Sequence, residues 1–200
     1  MSREIGISKL TVFELRDPDT PDYGGPESVP WVVNIDISKV VAEYSAFADN
    51  VAELSSSKPT SADLTIEVSS DMKPSLEAKL TGVKFSNGLM IQGTDDTKPS
   101  WGIAYETVMD TGKVRRYFFT NCTISKDEQS NETISDSVNP VTYSLNVKAI
   151  PLPVTKELLF VMDEDDYKKA YDDAQANAPL QQQIEELWTN WFTQAPRPVA

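Results

Sequence analysis

The sequence predicts a mainly β protein with α elements (α+β): a β-sandwich or barrel with one short flanking helix and a C-terminal amphipathic helix. Apolar and polar residues alternate with period two through much of residues 5–150, most clearly at Leu64-Thr65-Ile66-Glu67-Val68. Asn87-Gly88 lies between two short β-rich runs, and both residues tolerate the positive φ of a tight hairpin turn. Beyond Pro151-Leu152-Pro153 the apolar spacing becomes that of a helix.

Along the chain, residues 7–15 read as a strand, and the turn formers of residues 17–26, from Asp17-Pro18 to Gly25-Pro26, break it. Strands are expected next at 31–37 and 40–47, then at 64–68. Between Ser70 and Gly82 the period changes. Ser70 or Asp71 can cap, Pro74 suits a first turn, Leu76 and Leu80 share a face, and Gly82 stops the helix, placed at 71–81. So narrow a stripe must pack on a sheet. Two hairpins follow, 83–86 with 89–92 and 101–109 with 114–124. Trp101, Ile103 and Tyr105 are expected on one face of the first long strand. Val114, Phe118 and Cys122 are expected on one face of the second, with Arg116 beside Phe118 on a face that is partly wet or partnered.

Residues 125–139 form a polar insertion with almost nothing apolar, a length of loop that is usually functional or disordered. Val141, Tyr143, Leu145 and Val147 alternate into a further strand, and 158–161 into a last one. The domain reading is a β domain at 1–162, with its helix near 71–81. An acidic linker and C-terminal helix occupy 163–200, packed on the domain or on a neighbour. In that helix Leu180, Ile184, Leu187, Trp188, Trp191 and Phe192 form one broad apolar face, with Pro179 in its first turn and Pro196 beyond its end.

At 200 residues, a chain can bury about 70% of its unfolded surface without needing disulfides. The opening residues read as strand rather than as a leader, and no apolar run is long enough to cross a bilayer, so a cytoplasmic origin is expected. Net charge is −13 and the pI about 4.4, which argues against nucleic-acid binding through phosphate contacts and against anionic membranes. There is no histidine, so the usual general base and commonest metal ligand are missing. The single Cys122, in the strand-like run 118–124, is expected to be a small buried hydrophobe.

No motif points to catalysis. Asp95-Asp96 and Asp163-Glu164-Asp165-Asp166 lack the layout of a calcium loop, and the prolines between Asp17 and Gly24 spoil that turn for a metal. There is no Gly-x-Ser-x-Gly elbow and no Gly-rich phosphate loop. Arg115-Arg116 beside Tyr117-Phe118-Phe119 reads as a cross-strand ion pair or an interface contact rather than a nucleic-acid platform. No catalytic, cofactor-binding or metal residue is therefore expected.

From about Phe47 onward the chain resembles the major tail proteins, or tail tube proteins, of long-tailed siphophages of Gram-positive bacteria. The similar features, in order, begin with Phe47-Ala48-Asp49-Asn50 and Glu53, the strand 64–68, and the helix around Asp71, Leu76 and Leu80 with its stop at Gly82. They continue through Asn87-Gly88, Asp95-Asp96 before Pro99, the Ala104 strand, and Gly112-Lys113 leading to Arg116-Tyr117. Ser137-Val138-Asn139-Pro140, a final strand, and a helix ending in Trp191-Phe192 before prolines complete the series. Phe47 stands where the family favours tyrosine, and the acidic segment 163–173 has little correspondence. The resemblance implies a tail-tube type β-sandwich or barrel without cofactors, in a virion assembled in the host cytoplasm. It implies homo-hexameric rings stacked into a tube, with a tape measure protein and tail-end proteins as partners, and DNA passing through the lumen without specific binding. The competing reading is a β-sandwich carbohydrate- or receptor-binding module, with Trp101 and Tyr105 as an aromatic platform. A small enzyme built on surface carboxylates is the third.

Overall fold

The computed structural model describes residues 3–30, 32–48, 51–69, 72–126 and 142–198, with only the backbone described for 42–48, 51–57 and 143. The polar insertion lies almost wholly outside the described residues, as do Trp31, Asp49-Asn50 and the proposed caps Ser70 and Asp71. The strands are β1 (Glu4–Asp17), β2 (Asp22–Ser28), β3 (Val32–Ala48), β4 (Val51–Ser69), β5 (Lys84–Ser86), β6 (Leu89–Ile91), β7 (Ser100–Met109), β8 (Val114–Lys126), β9 (Thr142–Ala149) and β10 (Leu159–Asp163). Helix α1 (Pro74–Thr81) follows β4, and α2 (Glu164–Asp173) and α3 (Ala178–Thr189) close the chain. The mainly β, α+β class read from the alternation is the class observed.

One antiparallel sheet runs in the order β2-β1-β7-β8-β9-β4-β3, and β10 pairs with the first half of β8. The sheet curls until β3 comes back beside β1, and its inner faces meet in one core. Val12, Leu64, Ile66, Ile103, Phe119 and Leu145 lie in that core, each essentially without solvent contact. Helix α1 plugs one end. Leu80 is fully buried, and its carbonyl accepts the Trp101 indole N–H at 3.0 Å. The helix starts at Lys73 without a side-chain cap, and Pro74 supplies the first turn. Gly82 ends it at φ +79°, where a Cβ would stand 2.1 Å from the Thr97 carbonyl oxygen. Only glycine fits there.

One expectation about β8 differs from the structure, and a change of register is the reason. Trp101 pairs with Cys122 but Ile103 pairs with Phe119, so two residues of β7 oppose three of β8. The extra residue is a β-bulge that reverses inside and outside. Phe119 and Cys122 therefore share the inner core, while Phe118 points to the outer face, so Phe118 and Cys122 are not on one face. The bulge is pinned by hydrogen bonds. Thr120 donates its N–H to the Leu158 carbonyl at 3.1 Å, and its carbonyl accepts the Tyr23 hydroxyl at 2.7 Å.

The outer face of β1, β7, β8 and β10 carries a second core of Phe13, Ala104, Phe118 and Trp191, flanked by Leu187 and Phe192. The C-terminal apolar face thus docks on the chain's own sheet. The acidic segment after Asp163, expected as a linker, is the helix α2. Asp163 caps it by accepting the Asp165 N–H at 3.0 Å, and Glu164, Asp165 and Asp166 sit in its first turn, where the helix dipole favours negative charge. Tyr167 anchors it by stacking on Trp188, ring centroids 4.6 Å apart. Residues 17–26 are likewise only partly a turn. The chain reverses over residues 18–21, and the rest is β2, whose glycines and proline are tolerated because it is an edge strand.

Candidate assembly surfaces

Asp17, Asp96 and Asp163, among the carboxylates singled out by sequence, are committed to local structure. Asp17 accepts the Thr20 hydroxyl and the Asp19 N–H, which hold its carboxyl below the usual range. Asp96 accepts the Gly93 N–H at 2.8 Å. Burial raises the Asp163 carboxyl, but the Asp165 amide and the Arg115 guanidinium at 2.9 Å outweigh it and leave it lowered. The residues flanking Arg115 and Arg116 explain that pair. Arg115 faces Asp163 across β8 and β10, and Arg116 faces Glu106 across β8 and β7 at 3.1 Å. Cys122 is fully buried, and burial pushes its thiol up, away from the reactive thiolate. Trp101 and Tyr105 are each 2% exposed, so they belong to the core and cannot form the aromatic platform of the binding-module reading.

Glu106 is the centre of a charged cluster that sequence reading did not find. Its side chain is 4% exposed and is held by Arg116 and by Lys9 at 3.1 Å. Lys9 reaches it because β1 has its own bulge there, with Lys9 at φ +54°. The Arg116 guanidinium in turn lies 3.8 Å from the Trp188 ring centroid and donates to the Trp188 carbonyl. One arginine therefore ties the sheet to the C-terminal helices.

The surfaces with unmet structural needs lie elsewhere. Strands β3 and β4 pair with each other from Val32↔Val68 out to Ala48↔Val51, yet β4 pairs with β9 only over Ala62–Ser69. Beyond Val40 the two strands have only each other among the described residues. At about 3.3 Å per residue, the eight residues from Val41 to Ala48 carry this arm about 26 Å past the sheet. It leaves the body at a further bulge, where Val40 faces Ser61 and Val41 faces Pro59. Alternation marks strands at 40–47 and 64–68 but gives no strand signal over 51–62, so the single long hairpin that joins them is a feature of the fold rather than of the pattern.

An apolar hairpin and a trough of mixed polar and apolar lining complete the picture. The β5–β6 hairpin, with the expected Asn87-Gly88 turn at φ +53° and +81°, forms a separate two-stranded sheet. It exposes Phe85, Leu89 and Ile91, Leu89 at 62%. At the other end of β7 and β8 an open trough runs between β1, β3 and β10, in two connected hollows of about 340 and 770 Å³ that share Ile37 and Tyr117. Ile5 is 69% and Val161 51% exposed along it.

No protein-family model and no curated protein sequence matches the chain. Among solved structures the chain is similar to one in the cryo-EM structure of the anti-feeding prophage baseplate, six-fold symmetrised. The TM-score is 0.38 and the identity 10%, with 81% of this chain and 97% of that chain covered.

Proposed function

We propose that the chain is a structural, non-enzymatic subunit of a phage tail tube, forming stacked hexameric rings whose lumen conducts DNA during genome ejection. Its main partner is itself. A tape measure protein and tail-end proteins contact the tube's ends and interior, and DNA passes without specific binding. The sequence resemblance that starts at Phe47 supplies this reading, and the β3–β4 arm is the observation that carries it. An isolated two-stranded hairpin is at best marginally stable in water, so an arm of this length needs a third surface. Its edges and the outer edge of β3, which pair with nothing else among the described residues, are suited to pairing with another copy.

The experiment is electron microscopy of the concentrated protein beside a chain in which Val41 is joined to Pro59 through Asn-Gly. The parent chain is expected to form tubes of indefinite length. The shortened chain is expected to keep its thermal midpoint within a few degrees and to form none. Tubes from the shortened chain would remove the arm from the assembly. A parent chain that stops at a discrete oligomer and binds a ligand saturably would favour the binding module instead.

A further inference from the structure

The exposed β5–β6 hairpin and the open trough sit at opposite ends of the same pair of strands. The hairpin adjoins α1, which packs by Trp101 and Lys126, whereas the trough is lined by Thr107 of β7 and Arg115 of β8. The six residues from Trp101 to Thr107 put about 20 Å between the two ends. One end carries an apolar knob, the other a hollow in which Ile5, Val33, Ile37 and Val161 stand among charged side chains such as Lys39, Arg115, Asp163 and Asp166. That is the arrangement for a head-to-tail contact, in which each copy offers a different surface to its two neighbours.

We propose that the β5–β6 hairpin of one copy seats in the trough of the next. The inference rests on the tail-tube reading for its partner, a second copy of this chain. Leu89, Phe85 and Ile91 are too exposed for a sheet of two three-residue strands to hold by itself, so the hairpin requires a cover. The hollows have room for these side chains and meet them with Ile5, Val33, Ile37 and Val161. Charge agrees with the fit. Lys84 stands on the hairpin and Asp166 on the trough's rim, and neither has an ion-pair partner among the described residues. The knob enters the next copy at the side where that copy's β3 leaves to become the arm, so the receiving copy's arm starts beside the seated knob.

The test uses the full chain, with association read by sedimentation velocity and folding by circular dichroism. Phe85→Asp/Leu89→Asp charges the knob, and Ile37→Asp/Val161→Asp charges the trough. Each variant alone is expected to need at least tenfold more protein than the parent to associate. Mixed in equal amounts they are expected to form a heterodimer that neither forms alone, because the one intact knob meets the one intact trough and nothing remains to extend the chain. Variants that assemble like the parent, or a mixture no better than its components, overturn the proposal and leave the tube reading standing. A parent that stays monomeric at every concentration overturns both. Loss of assembly on shortening the arm, with the knob variants unaffected, gives the trough to the arm and overturns the proposal. If the trough variant does not fold, a Leu89→Cys/Ile37→Cys chain decides the matter, since its remaining cysteine, Cys122, is inaccessible. Oxidation is expected to give a ladder of covalent oligomers, and an unlinked monomer from an assembling sample overturns the contact.

Discussion

Arg116 shows how a single side chain can hold two layers together. It neutralises Glu106, itself removed from water, and covers the Trp188 ring. Removing one partner of a buried pair leaves the other charge uncompensated, at a cost of about 3–5 kcal/mol, whereas replacing both by apolar residues is often neutral. Lys9 reduces that cost here because it still reaches Glu106. Arg116→Ala is expected to lower stability by about 2–4 kcal/mol in urea unfolding, more than the double variant Arg116→Met/Glu106→Leu. A double variant worse than either single change would show that the pair contributes more than its own desolvation cost. That Arg116 would have a partner was legible, because it alternates with Phe118. Which partner it has was not, since Trp188 lies 72 positions away and only the folded chain brings it near.

At the scale of elements, local chemistry decided what could be read. Asn87-Gly88 and Gly82 each demand a backbone conformation that few other residues accept, and both turns form where expected. The bulge at Thr120, the pairing of β2 and the length of the arm depend on register between distant strands, which alternation alone does not encode. Helix α2 was missed for a different reason. Its acidic run resembles a solvated linker, yet acidic residues in a first turn are favourable, and its anchor is a stack on a residue of α3. Helix α3 and the turn after it cover Phe13 and Phe118 through Leu187, Trp191 and Phe192, and α2 braces α3 through the Tyr167–Trp188 stack. Truncation after Ala178 uncovers these rings, and the shortened chain is expected to melt lower and scatter light at micromolar concentration. A soluble truncated protein with an unchanged midpoint would show that α3 and the Trp191 turn are dispensable.

For the whole molecule, a net charge of −13 per copy becomes a property of any assembly. In a tube, a lysine or arginine facing inward would recur in every ring, and its phosphate contacts would add along the duplex. Carboxylates are therefore expected to line the wall, with basic residues at interfaces or outside. Replacing wall carboxylates by lysine is expected to leave tubes intact under the microscope but slow genome delivery, with the defect easing as salt rises. A predominantly basic wall, or normal delivery by such variants at low salt, would leave solubility as the account of the charge.

The pairing of β1 with β7 has a consequence for how a new copy comes into being. Ser8 meets Glu106 98 positions further along the chain, so the first strand, paired early with β2 on one edge, must wait for half the chain before it gains its other neighbour. The arm, by contrast, closes on residues close to it in sequence. Loop closure over such a span is slow, and folding times of milliseconds to seconds are expected in stopped-flow refolding, against microseconds for a hairpin. The reaching part of the subunit can thus form before the body that anchors it, and a microsecond refolding phase for the whole core would contradict this order of events.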